Sequence, residues 1–176
     1  MTAMATEESS QSQQSKWKGK AYAELNRATV EQVWTLLEDF FSIHKWLPGI
    51  DTCQPVEGVL GQSGCIRYCA NTAVSESEEK KITTKWVKEK LLFIDPVERC
   101  FSYEVIENNI GMNSYIATVK LVQLSQAAID EGCQIQWSFV SDPIEDLTFE
   151  AFFSHIQSIA QGMAQRMEDA LCPVRS

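Results

Sequence analysis

The chain has 176 residues, 44% of them hydrophobic and 10% aromatic, which bounds it to one domain with a sizeable core. Its 24 acidic residues oppose 15 basic ones, and the net charge of -9 argues against a nucleic-acid-binding face and against attraction to an anionic membrane leaflet. No run of about 18 apolar residues occurs, so no membrane-spanning helix and no membrane insertion are expected.

Residues 1–15 are rich in Ser, Gln and Glu and cannot offset their own ordering entropy, so they read as a disordered tail ahead of a single domain over 16–172. That start holds no basic segment followed by an apolar run, so no secretory signal and a cytoplasmic location are expected. Trp17, Gly19, Ala21, Ala23 and Leu25 then alternate onto one face of a first strand. Thr29 is placed to N-cap a helix carrying Val33, Trp34, Leu37 and Phe41 at helical spacing, and a second short helix over Ser42–Trp46 stops at Pro48-Gly49.

From Cys53 the period shortens. Alternating segments cover 53–58, 65–70, 82–94, 99–106, 112–124 and 132–140. Turn residues separate them, including Gly61-Gln62-Ser63-Gly64, Asp95-Pro96, Asn108-Asn109 and Asp130-Glu131-Gly132. With the first strand this predicts an α+β fold, an antiparallel sheet of about seven strands. The segment from Thr148 to Leu171 reads as one long amphipathic helix whose stripe includes Phe149, Phe152, Phe153, Ile156, Ala160, Met163 and Met167. Such a helix laid across a curved sheet leaves room for a hydrophobic cavity.

The six cysteines, Cys53, Cys65, Cys69, Cys100, Cys133 and Cys172, read as free thiols acting as small buried hydrophobes in a reducing compartment. There is no CxxC pair, and His44 and His155 stand apart from each other and from any Cys, so no metal site is expected.

One residue is at odds with its strand. In Lys85-Trp86-Val87-Lys88-Glu89-Lys90-Leu91-Leu92-Phe93, alternation groups Glu89 with Val87, Leu91 and Phe93 and sends Lys88 and Lys90 the other way. An inward carboxylate needs a cation, a hydrogen-bonding role or a chemical task, because burying it unpaired costs several kcal/mol. A register slip of one residue, or a strand rim open to water, are the competing readings. The same alternation turns inward Phe101, Tyr103 and Val105, then Asn113, Tyr115, Ala117, Val119 and Leu121, then Cys133, Ile135, Trp137 and Phe139. Buried Tyr and Trp need partners for their O–H and N–H, so Tyr103, Tyr115 and Trp137 are polar handles in an apolar space, or ordinary strand packing.

Arg67 shares parity with Cys65 and Cys69, whereas Ile66, Tyr68 and Ala70 occupy the other face, so its strand reads either way. Paired with Glu89 on the next strand, it would complete a proton-transfer pair, the carboxylate exchanging a proton and the guanidinium steadying an oxyanion. Expected ligand contacts are Phe101, Tyr103 and Trp137 on the sheet. Val87, Leu91, Phe153 and Trp46 complete the set.

The order of strand, two short helices, six strands and a long C-terminal helix resembles the helix-grip fold of the START and birch-pollen-allergen superfamily. Lys16-Trp17-Lys18-Gly19-Lys20, Glu31-Gln32-Val33-Trp34-Thr35-Leu36-Leu37, His44-Lys45, Val56-Glu57-Gly58 and Gly64-Cys65-Ile66-Arg67-Tyr68 resemble the plant lachrymatory-factor-synthase-like group, of polyketide cyclase/dehydrase type. Lys88-Glu89-Lys90-Leu91, Tyr115-Ile116-Ala117-Thr118 and Trp137-Ser138-Phe139 continue the match in the same order. The resemblance implies a cytosolic plant protein with a hydrophobic cavity and no cofactor. In the synthase an Arg and a Glu rearrange a small sulfenic acid into a thial S-oxide, and they match Arg67 and Glu89; a cavity tyrosine matches Tyr115. The charged loop read over Asn71–Lys81 departs from the synthase at the presumed cavity mouth.

Two readings follow. In one the protein is a cofactor-free isomerase, cyclase or lyase acting on a small apolar metabolite, with Glu89 as base and then acid and with Arg67 and Tyr115 steadying charge. In the other the same cavity only carries or senses a hydrophobic ligand, whose polar end the Arg-Glu pair fixes.

Overall fold

A computed structural model describes residues 15–124 and 132–173. The tail expected over 1–15, apart from Ser15, and the turn residues Asp130 and Glu131 lie outside the described residues. In chain order the elements are β1 (Trp17–Leu25), α1 (Val30–Leu37), a 3-10 helix (Phe40–Lys45), β2 (Thr52–Glu57), β3 (Ile66–Val74) and β4 (Ile82–Asp95). There follow β5 (Cys100–Asn108), β6 (Ile116–Gln123), β7 (Cys133–Ser141) and α2 (Phe149–Leu171). The strands form one antiparallel 7-stranded sheet in the order β1-β7-β6-β5-β4-β3-β2, with the long helix packed on it: the expected helix-grip fold.

Period-2 burial sets the inner face. On β7, Cys133, Ile135, Trp137 and Phe139 are buried and their neighbours are half-buried; on β6, Ala117, Val119 and Leu121 are buried. Across the core α2 presents Phe152, Ile156, Ala160, Met163, Ala164 and Met167. Thr148 caps its start, accepting from the Ala151 N–H at 3.1 Å. At α1, Thr29 accepts from the Gln32 N–H at 3.2 Å while Gln32 Oε1 accepts from the Thr29 N–H at 2.9 Å, a reciprocal capping box.

The structure departs from simple periodicity in four places. First, α1 ends at Leu37, so Phe41 is not on its stripe. The carboxylate of Asp39 accepts from the Phe41 N–H and the Ser42 hydroxyl and restarts the chain as the 3-10 helix, which turns Phe40, 2% exposed, into the core. Second, the β4–β5 pairing shifts between Leu91 and Phe93, and this bulge reverses the parity of β4. Phe93 therefore faces outward at 45% exposure and Ile94 packs on the core instead. Third, Asn113 is exposed rather than inward, because Ser114, at φ 55°, breaks the extended chain before β6 begins. Fourth, Asn71 to Val74 belong to β3, so the β3–β4 connection is only 75–81.

Candidate ligand cavity and its buried ion pair

Between the inner face of the sheet and α2 lies a cavity of about 200 Å³. Its walls are apolar side chains of β4, β5, β6 and α2, closed at one end by Leu37, Ile43, Leu47 and Ile50. Leu47, Ile50, Val87, Ile110, His155 and Ile159 also line a recess of about 320 Å³, bounded by Pro48, Gly49, Asn71 and Trp86, which forms the vestibule of the cavity. The Asn71 side-chain amide donates to the Gly49 carbonyl and ties the β3 end to this rim.

Two charges face the cavity. Arg67 and Glu89 stand opposite each other in the β3–β4 ladder, with Nε donating to Oε1 at 3.2 Å and side-chain exposures of 3% and 10%. Arg67 Nη1 also donates to the Phe40 carbonyl at 2.8 Å. The guanidinium lies over the Phe40 ring, and the Tyr103 ring is 5.2 Å from it. Burial works against this charge, but the Glu89 carboxylate beside it holds the guanidinium above its ordinary pKa. A buried pair of this kind is secured by its further hydrogen bonds, since desolvation offsets much of the Coulombic attraction.

Beside the pair runs an aromatic hydrogen-bonded row. Trp137 Nε1 donates to the Tyr115 hydroxyl at 3.3 Å, and the Tyr103 and Tyr115 rings lie 6.2 Å apart. Burial pushes both phenols up, Tyr103 well above its ordinary range, while hydrogen bonds from Tyr103 and Trp137 pull Tyr115 part of the way back. At neutral pH both therefore carry protons and act as donors, not bases. The lining side chains able to accept a proton are Glu89, deep in the cavity, and His155, at the mouth on α2. Among the described residues no cluster of His, Cys, Asp and Glu is arranged to hold a metal ion.

Residues 17–171 match the family described as polyketide cyclase / dehydrase and lipid transport. The chain belongs to this family. Its fold is also that of XoxI from Bacillus cereus, at a TM-score of 0.67 and 20% identity over 89% of this chain and 96% of that one. An uncharacterised protein from Bacillus thuringiensis gives a TM-score of 0.64 at 20% identity, covering 88% and 98%. Ginseng major latex-like protein 151 from Panax ginseng gives 0.61 at 16% identity, covering 89% and 99%. Family and cavity together make this a hydrophobic-ligand-binding protein of helix-grip fold. No described helix is long and apolar enough to cross a membrane.

Within this polyketide cyclase / dehydrase fold, Arg67, Glu89, Val87, Phe101, Tyr103, Tyr115 and Trp137 all line the cavity. Three expected contacts do not. Leu91 is fully buried in the core beside the bulge, outside the cavity wall. Trp46 packs on the core from the end of the 3-10 helix. Phe153 turns toward β1, stacking on Phe149 with centroids 5.9 Å apart, and Gly19 makes room for it: a Cβ there would lie 2.9 Å from the Phe153 ring. Phe152, one residue and about 100° around the helix, takes the cavity position instead.

Sequence reasoning missed Phe40, His155 and the rim residues Leu47 and Ile50. The Asp39 cap preceding Phe40 was a usable signal. The set Phe152, Ile156, Ile159 and Met163, at helical steps, marks the face on which His155 also lies. The rim loop carries no periodicity that could have placed it.

Proposed function

We propose that the protein is a cofactor-free isomerase, cyclase or lyase of the lachrymatory-factor-synthase-like type, acting on a small apolar metabolite. The observation carrying this reading is the Arg67–Glu89 pair, buried and turned into an apolar cavity. Glu89 takes a proton from one position of the bound substrate and returns it at another, so no proton is gained or lost overall. Arg67, always charged, and Tyr115, held protonated, steady negative charge that develops on a substrate oxygen. Phe101, Val87, Tyr103 and Trp137 hold the apolar part of the substrate. The cavity volume of about 200 Å³ favours a compact substrate over a two-chain lipid, since sites for drug-sized ligands span roughly 300–1,000 Å³.

The test measures Glu89→Gln twice, for binding of a small apolar fluorescent probe and for turnover of a small sulfenic acid generated in situ. Loss of turnover by about 100-fold with probe affinity kept supports proton transfer by Glu89. Equal losses in both, or no turnover by the unsubstituted protein on this or related small enolisable compounds, favour the carrier reading, in which the pair only fixes a ligand's polar end.

A further inference from the structure

Next to the ion pair, on the two outermost strands at that edge of the sheet, two cysteines face each other. Cys53 on β2 and Cys69 on β3 are direct partners in the antiparallel ladder, and their sulfurs are 3.6 Å apart with the Cys69 thiol donating to Cys53. Directly opposed residues in such a ladder have Cα atoms about 4.5–5.5 Å apart, inside the span a disulfide bridges. Closing to a bond requires the sulfurs to move together by about 1.5 Å, within reach of small side-chain rotations.

The two sulfurs are unequal. Cys53 is half-buried on the edge strand, whereas Cys69 is 1% exposed and lines the vestibule. Arg67, two residues before Cys69, is the positive neighbour of Cys53, and the His44 side chain lies beside it. Donation from Cys69, then Arg67 and His44, lower Cys53 to about 6 against the resistance of burial, and the Cys69 thiol is pushed up and keeps its proton. One sulfur is thus set as a thiolate nucleophile and the other as the thiol that stabilises it.

We propose that Cys53 and Cys69 form a peroxide-responsive dithiol site, Cys53 attacking a hydroperoxide and Cys69 resolving the product into a disulfide between β2 and β3. In the first step the Cys53 thiolate attacks one peroxide oxygen and the O–O bond breaks. Cys53 becomes a sulfenic acid, and the departing oxygen takes a proton to leave as alcohol, or as water from hydrogen peroxide. In the second step Cys69 sulfur attacks Cys53 sulfur, the S–O bond breaks, and water leaves carrying the Cys69 proton. Two thiols lose two electrons and two protons, and the peroxide is reduced by two electrons. The bridge staples the edge strand to its neighbour, two positions from the guanidinium.

The experiment treats the reduced full-length protein with stoichiometric hydrogen peroxide at neutral pH and maps peptides by mass spectrometry without reductant. The expected result is a Cys53–Cys69 cross-linked pair, lighter by two hydrogens, as the main product. Cys53 should be consumed about tenfold or more faster than the half-buried Cys100 and Cys172. In Cys69→Ser, Cys53 should accumulate as a sulfenic acid trapped by dimedone. Equal oxidation of Cys100 or Cys172, an uncrosslinked sulfenic acid in the unsubstituted chain, or no trapping in Cys69→Ser would each overturn the proposal. The mapping of the unsubstituted protein needs no variant to fold.

Discussion

The Arg67 guanidinium carbon lies 3.8 Å from the centroid of the Phe40 ring, and the Phe40 carbonyl accepts from the same guanidinium at 2.8 Å. One residue of the 3-10 helix thus supplies both a π face and a backbone acceptor to the buried cation, leaving Glu89 as its third support. Phe40→Leu keeps the carbonyl and removes the face. It should cost about 1–3 kcal/mol, the sum of a desolvated cation–π contact and a small packing defect. Urea denaturation measures this, and stability equal to the parent would show that the ring does not hold the guanidinium.

Removing one charge of the pair should cost far more than removing both. Arg67→Met leaves Glu89 buried without its cation and should destabilise by about 3–5 kcal/mol, a fall of roughly 10 °C in melting temperature. The double variant Arg67→Met, Glu89→Leu should recover most of that loss. Thermal unfolding of these two variants and of Glu89→Leu checks the coupling; a double variant as unstable as the sum of its singles would mean the two charges do not support each other.

Tyr115→Phe removes the acceptor of the Trp137 N–H and leaves it buried beside the cavity. A cost of about 1–3 kcal/mol is expected for the orphaned donor. The indole should report it directly, through a change in tryptophan emission that Tyr22→Phe, at an exposed hydroxyl, does not produce.

Donation from the Cys69 thiol, aided by Arg67 and opposed by burial, lowers the Cys53 thiol from its ordinary value of 9.0 to about 6. Its alkylation rate by iodoacetamide should therefore level off above about pH 7 rather than climb to pH 9. The linkage has a definite sign. Between about pH 6 and 9 the unfolded chain binds the Cys53 proton and the folded chain does not, so this group's contribution to stability is present above pH 9 and is lost as pH falls through about 6. Cys53→Ser should flatten that part of the stability profile. Cys69, Arg67 and His44 are the groups that face it, and Cys69 stays protonated across the window. An alkylation midpoint near 9 would contradict the arrangement.

Gly162 on α2 lies against the Pro48 ring, and a Cβ there would collide with it. Alanine in a helix interior ordinarily gains about 1 kcal/mol over glycine. Here overpacking, typically about 1–3 kcal/mol, should exceed that gain, and the displaced Leu47–Ile50 rim should weaken binding of an apolar probe. A Gly162→Ala variant that melts higher and binds unchanged would mean the rim yields freely.

The faces of β1, β6 and β7 were legible because alternation runs unbroken along them, and Glu89 stood out against the same alternation. Phe93 was misplaced because a bulge is a property of a pair of strands, and neither strand alone announces it. Phe41 falls on the α1 stripe because helical spacing continues on paper past Leu37, where the Asp39 cap ends it in space. The stripe of α2 is wide enough that Phe152 and Phe153 both belong to it. Spacing alone does not separate them: Phe152 lines the cavity, whereas Phe153 lies against Gly19. The Cys53–Cys69 pairing depends on the β2–β3 register, which an irregularity between Pro55 and Glu57 helps to set, and no spacing along the chain encodes it.

The β3–β4 ladder, closed by residues 75–81, also bears on the order in which the chain assembles. Neighbouring strands of a hairpin meet on a timescale of microseconds, whereas β1 must wait for β7, more than a hundred residues away in sequence. Arg67 and Glu89 can thus find each other while still hydrated and be enclosed afterwards as a neutral unit. Neither charge then has to enter the interior alone, and the dehydration that makes the pair costly is spread over the arrival of α2 and the 3-10 helix.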